Sequence, residues 1–313
     1  MFRPAWLALA GWLLFVPNLA SAEEITLRVG DQKAGLRALL EVSGQAENLP
    51  YKIQWSEFPN AAPILEALNT GALDVGYTGD LAFLTVYSGG APIRAIGGSR
   101  SRAQSQAILV AKDSPIQTIA DLKGKRLAGT KGGWGQFLIL SVLEQGGIPL
   151  DQAKLSFLGP VDARAALLSG SIDGWAIWEP YVATAVAQDG ARIIADGTGL
   201  TPTVTFLDAT EDAIRTKREA LADLHRRLYA AWDWGLEHIP AYAAYNAKIT
   251  GLPEPIVARA YEDDHRVPVQ IDDALVTEIQ EAADRSVRYG ILPKKIDVAA
   301  AVDRSFNAAT PSQ

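Results

Sequence analysis

Two stretches of this chain have residue types suited to holding an anion. Thr130-Lys131-Gly132-Gly133-Trp134-Gly135 stands between a strand-like run and an apolar helix-like run. Glycines let backbone N–H groups approach a ligand closely, and a helix start adds unpaired donors and partial positive charge. The same run also reads as a tight turn that needs glycine only for its conformation. Trp134 beside three glycines is a partly exposed ring that could cover a ligand. The second stretch, Trp175-Ala176-Ile177-Trp178-Glu179-Pro180, sets two indoles three residues apart around a strand end. Odd spacing sends them to opposite faces, so one belongs to a core and the other can line a cleft; both in a core is the competing reading.

A third group is Thr78-Gly79-Asp80. The Thr78 hydroxyl can donate to a ligand, and Asp80 can cap the helix that follows. Gln32 and Lys33 end the first strand and could meet an anionic head group, although a lone lysine also reads as solvated. Lys33, Arg100 and Arg102 are the candidate counter-charges; the guanidinium fork suits an oxyanion as well as it suits a solvated loop. On this basis Trp178→Ala or Thr78→Ala should weaken binding and leave unfolding nearly unchanged.

Catalytic patterns do not emerge. There is no Gly-x-Ser-x-Gly, no His-Glu-x-x-His and no phosphate loop. His225, His238 and His265 are scattered, and the chain has no cysteine, so no thiolate nucleophile, disulfide or zinc-thiolate site exists. Asp263-Asp264 reads as solvated. The expectation is a binding protein that is not an enzyme, with no cofactor and no metal.

The elements that position these residues announce themselves by a repeat. Residues 67–74 read Ala-Leu-Asn-Thr-Gly-Ala-Leu-Asp and residues 166–173 read Ala-Leu-Leu-Ser-Gly-Ser-Ile-Asp. Each is a helix end, a glycine stop and a strand entry, which implies two similar lobes. Strands are expected at 25–29, 53–58, 73–77, 93–98, 106–110, 127–129, 155–158, 172–177, 192–195 and 204–209. Helices alternate with them, and a mainly helical tail follows from Glu211 and packs onto the first lobe. Alternation of this kind means an α/β fold with a largely parallel sheet in each lobe. Lobe 1 is discontinuous (residues 23–106 and 206–313), lobe 2 spans 107–205, and two crossovers make a hinge able to close. Ligands in such sheets sit beyond the carboxyl ends of the strands. Those ends include Gln32-Lys33, Pro59-Asn60, Thr78 to Asp80, the glycine turn and Trp175 to Glu179.

Residues 1–22 read as a cleavable secretory signal: Arg3, an apolar run from Trp6 to Val16, and Ala20-Ser21-Ala22 before Glu23. An uncleaved anchor is the other reading. The absence of cysteine rules out lipid attachment at a new N-terminal cysteine. The formal charge of −7 argues against nucleic acid and anionic membranes as partners.

Together, Leu27 to Lys33, Glu57-Phe58-Pro59, Leu65 to Asp80, Ile108 to Lys131, Ala163 to Pro180 and Ala191 to Gly197 resemble the periplasmic substrate-binding components of aliphatic sulfonate, taurine and nitrate ABC importers, most closely the alkanesulfonate group. The resemblance implies the type II periplasmic-binding-protein fold and a periplasmic, monomeric role in sulfonate transport and sulfur metabolism. In that role the chain would capture a sulfonate or related organosulfur compound and deliver it to a membrane permease. Taurine, nitrate or another small oxyanion is the alternative ligand, and a pyrimidine-precursor-type enzyme on the same fold the alternative class. It implies ligand contacts at Gln32, Pro59, Asn60, Thr78, Gly79, Asp80, Gly132, Gly133, Trp134, Gly135, Trp175, Trp178 and Glu179. Relatives usually carry small hydroxyl residues in the glycine turn and Asp in place of Glu179. The extra ring here leads to the expectation of a larger, even aryl, guest.

Overall fold

The computed structural model describes residues 24–309, so the expected leader lies outside the described residues. The chain begins with β1 (Thr26–Gln32), α1 (Leu36–Val42), β2 (Lys52–Phe58), α2 (Ala61–Asn69), β3 (Val75–Gly79), α3 (Asp80–Ser88) and β4 (Ile93–Arg100). A crossover leads to β5 (Gln106–Val110), β6 (Arg126–Gly129), α4 (Trp134–Gln145), β7 (Lys154–Phe157), α5 (Pro160–Leu168), β8 (Gly174–Trp178), α6 (Tyr181–Asp189) and β9 (Arg192–Asp196). A second crossover returns to β10 (Val204–Thr210), followed by α7 (Glu211–Thr216), α8 (Arg218–Glu237), α9 (Ile239–Thr250), α10 (Glu254–Asp264), β11 (Val267–Val269), α11 (Asp273–Arg288) and α12 (Val298–Ala301).

Two sheets result. One has the order β11-β4-β10-β3-β1-β2 and the other β7-β6-β8-β5-β9. Both are mixed: β2-β1-β3 and β7-β6-β8 are parallel, and pairing turns antiparallel where the crossover strands β5 and β10 enter. Every residue of β5 and β10 is buried, as strands covered by helices on both faces must be. Leu221, Leu224, Leu228 and Trp232 recur at helical spacing on α8 and seal one face of the first sheet.

The repeated phrase has a physical cause. Asp74 accepts from the Arg28 backbone N–H (2.7 Å), Nε (3.2 Å) and Nη2 (2.6 Å), while Arg28 Nη1 donates to the Gly71 carbonyl. Asp173 accepts from Arg126 at the same three nitrogens (2.8, 3.0 and 2.7 Å), and Arg126 Nη2 donates to the Gly170 carbonyl. Both glycines sit at φ +70°, a conformation that side chains resist. Each clasp ties a helix end to the neighbouring strand at the end of the sheet where the strands begin, away from the rims.

Two elements escaped the sequence reading. α6 lies in a segment given no assignment, and β11 contains Pro268, tolerable only because β11 is an edge strand. The tail also does more than pack on the first lobe. Tyr289 Oη donates to Glu144 Oε2 (2.5 Å) of α4, and the Arg285 guanidinium lies 4.6 Å from the Phe137 ring centroid. One apolar cluster therefore runs from α3 through α4 to α11. At the crossovers Ser101 N donates to the Thr203 carbonyl (3.1 Å) and Thr203 Oγ1 to the Ser101 carbonyl (2.6 Å), stitching the two connecting strands together.

Candidate functional site

The start of α3 and the start of α4 face each other. α4 begins at N-cap Gly133 with no side-chain cap; Gly132 N donates to Gln136 Oε1 (2.9 Å) and Gln136 N to the Thr130 carbonyl (3.2 Å), which leaves the Gly133, Trp134 and Gly135 amides as donors. The Trp134 indole reaches across to the first lobe: Nε1 donates to Asp80 Oδ1 at 2.5 Å, and a Cβ on Gly79 would come within 3.2 Å of the ring. Thr85 Oγ1 donates to the Gly132 carbonyl at 2.8 Å. Trp134 meets Trp178 edge-on, centroids 6.5 Å apart and planes at 81°. Asp80 is fully buried; Oδ1 also accepts from Leu81 N at 2.7 Å, and Oδ2 has no partner. Burial pushes its carboxyl up to about 7, against the pull of the Trp134 and Leu81 bonds.

The structure thus brings Gly79, Asp80, Gly132, Gly133, Trp134, Gly135 and Trp178 together. Two expectations need revision, those for Thr78 and Trp175. Thr78 is fully buried and donates to Asp208 Oδ2 (2.5 Å), so its hydroxyl serves the lobe interior. Trp175 is 1 % exposed in the second lobe's core, as strand parity with half-buried Trp178 requires. Lys33 and Pro59 are exposed, just past the ends of β1 and β2. Trp134 stands between the rims, its ring against Gly79 and its N–H on Asp80.

Asn60 accepts from Ala62 N (3.1 Å), capping α2. Gln32 is half-buried, and its backbone N–H donates to Asp31 Oδ1 (2.8 Å). Asp31 also takes the Leu36 and Arg37 amides, shaping the loop at the end of β1; burial nevertheless pushes it up to about 6. Glu179 accepts from Ala183 N (3.0 Å), and burial, with Asp263 and Asp264 nearby, pushes it up to about 8. Arg100 is engaged by Glu278 (2.8 and 2.6 Å), and Arg102 is exposed.

Sequence reasoning missed two features. Arg266 Nη1 donates to Tyr77 Oη (2.9 Å), Ser99 Oγ (3.1 Å) and Thr205 Oγ1 (3.0 Å), while Nε pairs with Asp264 (2.9 Å). This overturns the solvated reading of Asp264, whose side chain is 13 % exposed. A cavity of about 60 Å³ adjoins the pair, walled by Trp232, Tyr242 and Tyr261. A larger groove of about 470 Å³ lies at the clasp edge beside Arg28 and Arg215. Gln106 is the second feature. It starts β5 at 1 % exposure with both amide atoms unpartnered; an isolated glutamine at a crossover gave no periodic signal. Among the described residues no three His, Asp or Glu converge as metal ligands, and no helix is long and apolar enough to cross a membrane.

The model of NMT1/THI5-like proteins matches residues 52–241. The chain is 36 % identical over 301 residues to an Escherichia coli protein described as a putative aliphatic sulfonates-binding protein, covering 93 % of each chain. It is 30 % identical to a Bacillus subtilis protein of the same description, over 82 % of this chain and 77 % of that one. Among solved structures, the alkanesulfonate-binding protein SsuA from Xanthomonas axonopodis pv. citri, bound to MOPS, superposes with a TM-score of 0.83 at 31 % identity, covering 90 % of this chain and 99 % of that one.

Proposed function

This chain belongs to the NMT1/THI5-like family, and on that footing we propose that it is a solute-binding protein that captures a sulfonate between its lobes and hands it to an ABC permease. The observation that carries this reading is the uncapped start of α4 set against Gly79 and Asp80 of the other lobe. Sulfonate oxygens are acceptors, and bare helix-start amides are fixed donors with favourable dipole. Charge-assisted bonds of this kind strengthen when closure expels water. Because Trp134 bridges the rims, the lobes must part for a guest to enter.

We assign the ligand contacts to Gly79, Asp80, Gly132 to Gly135 and Trp178, with Gln32 and Glu179 at the margins. The chain carries out binding without turnover: its histidines are dispersed and it has no thiol. Residues 1–22 direct export and are removed after Ala22, leaving a periplasmic monomer that is not lipidated. The deciding measurement is calorimetric titration of the mature protein with an alkanesulfonate, an aryl sulfonate, taurine and nitrate, paired with native mass spectrometry for a copurified ligand. Micromolar or tighter binding of a sulfonate supports the reading; binding of nitrate alone, or of no oxyanion, overturns it.

A further inference from the structure

We propose that Arg266 is the positive pole with which the first lobe receives its anion, and that the Thr205 hydroxyl carries this polarity to the rim. The proposal rests on the sulfonate reading above and supplies the counter-charge for it.

Strand register brings the parts together. Thr205 lies opposite Gly79 on one side and opposite Ser99 on the other. Residues opposed in this way project to one face, with Cβ atoms about 5 Å apart. Tyr77, two residues before Gly79, shares that face. The Trp134 ring rests on it as well, since it is the group that a Cβ on Gly79 would meet. A row of hydroxyls therefore leads up to the place where α4 of the other lobe arrives. Thr78 projects to the opposite face, where Asp208 takes its hydrogen.

Arg266 backs this row. Asp264 holds the guanidinium side-on, at Nε (2.9 Å) and Nη2 (3.2 Å). Nη1 is then the end farthest from the carboxylate, and Nη1 is the atom that donates to Tyr77, Ser99 and Thr205. The ion pair is thus a fixed dipole with its positive end on the hydroxyls. Burial works against the charge, but Asp264 and Tyr77 outweigh burial and hold the guanidinium above its ordinary range. An oxygen that accepts from a guanidinium still has its own hydrogen to give, and polarisation by the cation makes it a stronger donor. Tyr77 and Ser99 are bonded to each other, which occupies one of their two hydrogens. Thr205 can give its own beside Gly79, within reach of an oxyanion on the α4 amides. The guanidinium is also approachable: the Arg266 side chain is 26 % exposed, and the cavity of about 60 Å³ lies against it.

The test titrates butane-1-sulfonate and the uncharged butane-1-sulfonamide calorimetrically into the mature protein near neutral pH. Thr205→Val keeps the side-chain shape and removes the hydroxyl. It should weaken butane-1-sulfonate binding at least about ten-fold with the melting temperature nearly unchanged, and Thr205→Ser should stay within about three-fold of wild type. Arg266→Met combined with Asp264→Asn removes both charges together, so neither is left buried alone. That double variant should cut the preference for the sulfonate over the sulfonamide at least about ten-fold, whereas a purely structural loss would weaken the two ligands alike. Should the double variant fail to fold, the two Thr205 variants decide. Wild-type affinity in Thr205→Val, or an unchanged preference in the folded double variant, overturns the assignment and leaves the sulfonate reading standing. A wild-type protein that binds no sulfonate removes both.

Discussion

At the residue scale, burial decides which polar groups serve the fold and which are left for a ligand. Thr78 is the instructive case. Its position at a strand end pointed outward, yet its hydroxyl is the sole hydrogen-bond partner of Asp208, a buried carboxyl held well above its ordinary range by desolvation. Thr78→Val should therefore cost roughly 1–3 kcal/mol of stability, the penalty for orphaning a buried polar group, and leave ligand affinity within about two-fold; chemical denaturation and titration of one preparation separate the two. That partner lies 130 residues away in sequence, and no local pattern could have announced it. The division between Trp175 and Trp178 was legible, because strand parity depends only on spacing. His225 adds a pH dependence. It is fully buried against Gly97 and Tyr229, neither ring nitrogen has a partner, and burial lowers it to about 4. The unfolded chain takes up this proton below about 6.5 and the folded chain resists until about 4, so stability from this group is present above that window and lost as pH falls through it, by on the order of 3 kcal/mol. Asp31, Asp80 and Glu179 act in the opposite sense: their contributions are full at low pH and fade as pH rises through about 6, 7 and 8. His225→Phe should flatten only the acid side of a stability-against-pH curve; an unchanged acid limb would assign the loss elsewhere.

At the element scale, the repeated clasp makes a graded prediction. The Asp74 side chain is 2 % exposed and also pairs with Lys217, whereas Asp173 is 27 % exposed and serves Arg126 alone. Buried pairs cost more to break than exposed ones. Asp74→Ala should lose about 3 kcal/mol and Asp173→Ala about 1 kcal/mol in urea unfolding; equal losses would contradict the burial argument. Element order was readable because strands and helices alternate with clear glycine and proline punctuation. α6, which follows N-cap Pro180 with no side-chain cap, was not, and β11 was hidden by proline in a three-residue edge strand.

At the scale of the whole molecule, motion between the lobes can be arrested by design. A Cβ added at Gly133 would stand 3.8 Å from the Cβ of Ala82 in the opposite lobe, the usual separation across a disulfide. The chain has no other cysteine to interfere. Ala82→Cys with Gly133→Cys should oxidise readily without ligand, and the bridged form should bind sulfonate at least a hundred-fold more slowly, with full recovery on reduction. Unimpaired uptake by the bridged form would show that entry does not need the rims to separate.

The strand order of the first sheet also governs when this protein can become itself. In the sheet β4 is flanked by β10 and β11, and β10 is the wedge that joins β4 to β3. Until Val204 to Thr210 has emerged, β4 has no neighbour to zip against, whereas the second sheet is complete once β9 is made. Biosynthesis should then yield a folded middle inside an unfinished frame, and a chain cut short before β10 should keep that frame open and pliable.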